Sequence, residues 1–201
     1  MEERLEKVEP LGGATLKGRF IALEPLEKRH RAGLIAAAGT PDIFTYMPFD
    51  TRDGFAARLP WFESEHASGA MVVYVVRRLS DDAIVGSTSY LAIVPEHGRV
   101  EIGSTWYAPG AQASAVNPEA KHLLLANAFA KNWHRVEFKT DSRNARSRAA
   151  LKKLGAVEEG IFRGHMWMPQ GYWRDSVYFS IIASDWPRVK AGLEERLAGF
   201  A

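Results

Sequence analysis

Three stretches of this sequence carry residues whose type and spacing suit chemistry. In Arg99 to Tyr107 the side chains alternate, with Val100, Ile102, Ser104 and Trp106 facing one way and Glu101, Gly103, Thr105 and Tyr107 the other. That alternation places the Glu101 carboxylate on the face of a strand, where it can act as a general base or be taken up in an ordinary strand ion pair. The second stretch, Gln112 to Lys121, is a loop entering a helix, and Asn117-Pro118 reads as a natural cap followed by a natural first helical residue. A helix opening offers free backbone N–H groups and the positive end of the helix dipole, which suit phosphate oxygens. Lys121 would add charge there and Glu119 would repel; the plainer reading is a well-capped helix. The third stretch opens at Asn144, with Ser147 one turn on. From the residues alone Asn144 reads as an N-cap and Ser147 as a small packing residue.

The familiar catalytic templates are absent. There is no GxSxG, no GxxxxGK[ST] and no HExxH, and the six histidines at 30, 66, 97, 122, 134 and 165 do not fall at metal-ligand spacing, so no metal is expected. The chain has no cysteine, which removes disulfides, thiolate metal sites and a cysteine nucleophile together. Its 201 residues suit one domain, and 46% hydrophobic with 25% charged residues is a globular composition. The apolar runs, such as Met71 to Val76, fall short of the roughly 18 residues of a spanning helix, and the charged start lacks a signal-peptide apolar region, so a cytoplasmic protein without a membrane partner is expected. A formal charge of +2 with no long basic block makes nucleic acid no default partner.

The elements that must position these residues follow from periodicity and punctuation. Thr15 to Leu23 reads as a first strand, Arg29 to Ala38 as a helix, Tyr46 to Phe49 as an aromatic loop and Asp53 to His66 as a second helix kinked or split by Pro60. Met71 to Arg77, Ile84 to Val94 and Arg99 to Tyr107 are strands joined by turns, and Pro118 to Trp133 is a helix. Val136 to Thr140 is a strand, and Asn144 to Leu154 a helix ended by Gly155. Phe162 to Met168 and Ser176 to Ile182 form a terminal strand pair, and Arg188 to Leu197 a last helix. The order predicts an α/β (α+β) fold on a mixed sheet.

In that same order the chain carries Leu16-Lys17-Gly18-Arg19, Tyr46-Met47-Pro48, Val85-Gly86-Ser87-Thr88, Val100-Glu101-Ile102-Gly103 and Thr105-Trp106-Tyr107. Asn117-Pro118-Glu119-Ala120-Lys121, Arg135 to Asp141, Asn144 to Leu151, Leu154-Gly155-Ala156 and Arg174-Asp175-Ser176 follow. This text, spanning about residues 14 to 187, resembles the GNAT superfamily of N-acetyltransferases, in the branch of ribosomal-protein N-terminal acetyltransferases; its most specific element is the NxxSxxAL…LG run from Asn144. The resemblance implies a mostly antiparallel sheet of about seven strands, splayed between the fourth and fifth, in a single domain. It implies acetyl-CoA as co-substrate, with pantetheine paired to the backbone near Ser104, Trp106 and Tyr107, and pyrophosphate at Gln112, Ala115, Val116 and Asn117. Asn144 would bond the pantetheine arm, Ser147 would approach the thioester sulfur, and Glu101 would serve as base for direct attack by a primary amine: a protein N-terminus, an amino acid or a small amine.

Where the family's pyrophosphate loop reads Q/R-x-x-G-x-G/A, this chain has Gln112-Ala113-Ser114-Ala115-Val116-Asn117, which keeps the Gln and lacks glycine. That departure motivates a second reading, a catalytically silent acyl-CoA-binding or scaffold protein of the same fold. The basic face of Arg143, Arg146, Arg148, Lys152 and Lys153 motivates a third, a nucleic-acid-associated module. His165 and Tyr178 on the terminal strands read as acceptor contacts or as packing, as do Tyr46, Met47, Pro48, Phe49, Trp61 and Phe62 around the acceptor mouth. Trp167 and Trp173 near the terminal hairpin would permit a homodimer.

Overall fold

The computed structural model describes residues 7–39 and 41–200. One eight-stranded sheet is ordered β1-β2-β3-β4-β5-β6-β8-β7. Its strands are β1 (Leu16–Lys17), β2 (Ile21–Pro25), β3 (Val72–Arg78), β4 (Ile84–Val94), β5 (Arg99–Tyr107), β6 (Arg135–Asp141), β7 (Val157–Met168) and β8 (Tyr172–Ile182). All neighbours are antiparallel except β5 and β6. The helices are α1 (Arg31–Ala38), α2 (Phe55–Ser68), α3 (Val116–Phe129), α4 (Ala145–Leu154) and α5 (Trp186–Ala198). No helix is long and apolar enough to cross a membrane among the described residues.

Two apolar cores lie on the two faces of the sheet. Leu34, Phe55, Leu59 and Phe62 of α1 and α2 pack with Phe44, Phe49, Val73, Val75 and Trp106. Leu124, Leu125 and Ala128 of α3 pack with Val100, Ile102, Val136, Phe138 and Leu193 of α5. Burial on both faces explains the near-continuous apolar text of β3, in which Val73 to Val76 are all inaccessible.

Four expectations change. The first strand is two, because the chain doubles back at Gly18 to Phe20, where Gly18 N–H bonds the Ile21 carbonyl at 2.9 Å. The Glu119 carboxylate accepts from the N–H groups of Arg19, Phe20 and Ile21 at 2.8, 2.7 and 2.7 Å, and a side chain at Gly18 would strike that carboxylate. The sheet therefore has eight strands rather than seven. Helix α2 runs unbroken through Pro60. Helix α3 begins at Val116, so Asn117 and Pro118 lie inside its first turn and Ala115 takes the cap position with no side-chain bond.

The fourth change concerns β5. Ser104 takes φ +46°, and the three steps of β5 from Gly103 to Trp106 are matched by two steps of β4, since Ser89 faces Gly103 and Ser87 faces Trp106. This bulge inverts the alternation beyond it. Trp106 therefore joins the α1–α2 core, while Tyr107 lies with Val100 and Ile102 in the α3 core. Nothing in the residue types announces it, because a serine at positive φ leaves no mark that glycine would.

Candidate active site

Strands β5 and β6 pair in parallel only over Arg99–Glu101 with Arg135–Glu137. Beyond Glu101 no strand pairs with the β6-facing edge of β5, while β6 continues to Asp141 paired with β8 on its other side. The sheet thus splays at Glu101, and the open backbone edge of β5 faces the gap. This is the opening expected between the strands that run from Arg99 and from Val136.

Glu101 lies at the vertex, on the α1–α2 face, and only 4% of it is exposed. Lys139 Nζ donates to its Oε2 at 3.1 Å. Burial pushes the Glu101 carboxyl above its usual range, and the Lys139 ammonium opposes that rise. Gly103 gives the carboxylate room: a Cβ there would stand 2.9 Å from Glu101 Oε1. A carboxylate with a raised pKa and one cationic partner suits proton removal near neutral pH. Lys139 is not singled out by the sequence: it takes its turn in the polar alternation of its strand, opposite Val136 and Phe138, and nothing in its type announces the carboxylate partner.

The loop after β5 forms the next wall. Gln112 Nε2 donates to the Tyr107 carbonyl at 3.0 Å, and its Oε1 accepts from Arg146 at 2.8 Å. Gln112 therefore ties the end of β5 to the first turn of α4 across the splay. Ala113 holds φ +58°, a left-handed conformation that costs an alanine about 1 kcal/mol or more. The loop keeps a glycine-type bend without glycine. Among the described residues the N–H groups of Ala113, Ser114, Ala115 and Asn117 have no acceptor, Pro118 has no N–H, and only Val116 N–H is met, by Ser114 Oγ at 3.3 Å. A cluster of unpaired amides at a helix N-terminus fits an anion.

The expected cofactor residues contribute unequally. Trp106 and Tyr107 bury their side chains in opposite cores, and Ala115 and Val116 are buried too, so these four offer backbone to the gap. Asn144 caps α4, its Oδ1 accepting from Ser147 N–H at 3.0 Å; its Nδ2 donates to no described residue. The Ser147 hydroxyl is likewise without a partner there, and both residues are half-buried. Glu119 does not face the loop, because the β1–β2 turn takes its carboxylate. Lys121 also turns away: its Nζ donates to Thr105 Oγ1 at 3.2 Å beneath the sheet, and burial lowers its pKa to about 7.

Toward the acceptor side, His165 Nδ1 and Ser176 Oγ lie 3.0 Å apart, with the His165 ring edge-on to Phe162 and Tyr178. Burial first, then the charges of Lys139 and Arg174, hold His165 below its ordinary pKa. Phe49 and Phe62 are core residues stacked among Phe44 and Phe55, whereas Tyr46 and Met47 are half-buried and Trp61 is exposed. The basic face of α4 is partly neutralised, as Arg148 and Lys152 both pair with Glu158. No group of three or more His, Asp or Glu side chains could hold a metal among the described residues.

The model of the acetyltransferase (GNAT) domain matches residues 21–157. The chain belongs to the GNAT acetyltransferase family. It is 29% identical over 109 residues to the uncharacterized N-acetyltransferase YnaD of Bacillus subtilis, a match covering 53% of this chain and 61% of that protein. The chain thus spans less than two thirds of that curated relative. A GCN5-related N-acetyltransferase of Brucella melitensis superposes with a TM-score of 0.86 at 29% identity, over 96% of this chain and 88% of the other. RimJ of Mycobacterium smegmatis, solved with CoA-disulfide, shares the fold at a TM-score of 0.75 and 21% identity, over 93% and 90% of the two chains. The GNAT fold of this chain is the mixed sheet described above, with its one parallel pair at the splay.

Proposed function

We propose that this GNAT protein transfers the acetyl group of acetyl-CoA to a primary amine by direct attack. The observation that carries the reading is the splay itself: a buried carboxylate at its vertex and a rim of unpaired helix-opening amides. Bound there, acetyl-CoA supplies an activated thioester. The N–H groups of Ala113, Ser114, Ala115 and Asn117 receive its pyrophosphate, with Gln112 and Arg146 fixing the loop. The open backbone edge from Ser104 to Tyr107 and Asn144 Nδ2 hold the pantetheine. Glu101, directly or through water, takes a proton from the acceptor nitrogen. The Ser147 hydroxyl donates toward the departing sulfur.

The test is acceptor-dependent release of free thiol from acetyl-CoA across a panel of primary amines. Glu101→Gln is expected to lower kcat about 100-fold or more while acetyl-CoA affinity stays within a few-fold. Because a base works only when deprotonated, wild-type turnover should fall with acidification through the raised Glu101 pKa, and the Gln variant should lack that limb. An unchanged rate removes Glu101 as the base. Acetyl-CoA binding without acceptor-dependent thiol release assigns the chain the silent acyl-CoA-binding role instead.

A further inference from the structure

Among the described residues Arg174 is a buried arginine of the α1–α2 face whose guanidinium meets no hydrogen-bond or ion-pair partner. It lies on β8 two residues before Ser176 and four before Tyr178, on the α1–α2 face shared with Asp141 and Lys139 through the β6–β8 register. Only 3% of it is exposed. Its buried Nε has no hydrogen-bond partner, and among the described residues no carboxylate lies within ion-pair distance of its guanidinium. Through space its charge bears on Glu101 and His165, and the Asp141 and Glu101 carboxylates favour its charged form against the cost of burial.

The neighbouring carboxylates are already engaged. Glu101 accepts from Lys139 at 3.1 Å. Asp141 accepts from the Tyr172 hydroxyl at 2.6 Å and from Arg143 N–H at 2.8 Å, and its remaining charge faces the Arg143 guanidinium at 3.4 Å. With Lys139 on Glu101 and Arg143 on Asp141, no carboxylate among the described residues reaches the Arg174 guanidinium directly, and its buried Nε–H keeps no acceptor. Burying an unpaired guanidinium carries a large desolvation cost, which a ligand anion would offset. Arginine presents a planar fork that fits a carboxylate through two parallel bonds.

We propose that Arg174 receives the carboxylate of the acceptor, so that the amine acetylated is that of a free amino acid rather than a protein N-terminus. This assignment rests on the acetyl-transfer reading above. The Arg174 guanidinium would hold the substrate's carboxylate while Glu101 faces its amino group. Reaction then forms the N–C bond of an N-acetyl amino acid, breaks the C–S bond of acetyl-CoA, and passes the amine proton to Glu101 and onward to the thiol.

The experiment compares kcat/KM for free amino acids and for the matching amino acid amides, which keep the amine and lose the carboxylate. Wild type should favour the acids by about 100-fold or more, the discrimination expected when a buried charge is left unpaired. Arg174→Met should bring that ratio close to one with acetyl-CoA affinity unchanged, and Arg174→Lys should keep part of it. The wild-type ratio needs no variant, so a variant that fails to fold leaves the test intact. Equal turnover of acids and amides overturns the Arg174 assignment and leaves acetyl transfer standing. Peptide N-termini acetylated faster than free amino acids have the same meaning. No turnover with any amine overturns both readings.

Discussion

The two helices that open onto the splay begin in opposite ways. At α4 the orphan N–H of the first turn is met by the chain's own Asn144 Oδ1, at 3.0 Å. At α3 the cap position holds Ala115, which has no polar side chain, and the preceding loop leaves four amides unmet at Ala113, Ser114, Ala115 and Asn117. Packing does not explain the contrast, because α3, which buries eight of its residues where α4 buries only Leu151 and Leu154, is the helix whose opening lacks a side-chain cap. The difference is that one end carries a side-chain cap and the other leaves its amides open, an arrangement that suits an anion. The strained Ala113, at φ +58°, lies at the same end: an uncomfortable backbone is kept beside the open amides.

Filling the open amides of α3 with a negative charge of the chain's own should break this contrast most severely. Ser114→Asp places a carboxylate among the free amides at the positive end of the helix, where a bound anion would sit. Folding stability should hold or rise slightly in urea denaturation, while calorimetry should show acetyl-CoA affinity lower by about 100-fold, or about 2.7 kcal/mol. Affinity retained in that variant would move the pyrophosphate site elsewhere. The converse change, Asn144→Ala, strips the cap from α4. It should cost about 1 kcal/mol of stability and, through loss of Nδ2, roughly 10-fold in cofactor affinity. A stability loss with unchanged affinity would leave Asn144 a cap alone. The smallest effect is expected from Ala113→Gly, which relieves the left-handed strain but frees the unfolded chain. The net should be a stabilisation of about 0.5 kcal/mol, with cofactor affinity preserved; destabilisation would contradict the backbone conformation at that position.

Much of this arrangement is legible from residue order. Period and punctuation located the long strands and every α-helix, with ends shifted by a few residues, because apolar stripes and Gly or Pro stops are local signals. The glutamate at the vertex was legible too, since it precedes the bulge at Ser104 and so escapes the inversion. What lay hidden depended on contacts distant in sequence or on backbone conformation. The turn that makes β1 a strand of its own is held by Glu119, about 100 residues away, and so the same residue that looked like a threat to a phosphate at α3 serves elsewhere. Lys121 looked like an aid to that phosphate and instead lies under the sheet against Thr105. The inversion of Trp106 and Tyr107 came from a serine at positive φ. Arg174 stood in plain text beside Asp175 and Ser176, but a guanidinium without a direct partner becomes visible only once Asp141 and Glu101 are seen to be bonded elsewhere.

The central claim is that the unfinished end of α3 is an anion site for the cofactor. Its most direct test is calorimetric titration of the purified protein with acetyl-CoA, with desulfo-CoA and adenosine diphosphate alongside. Micromolar or tighter binding of the two CoA compounds, with measurable binding of the diphosphate alone, is the predicted result. An absence of detectable heat with acetyl-CoA would contradict it, leaving a GNAT fold whose glycine-free loop takes no pyrophosphate.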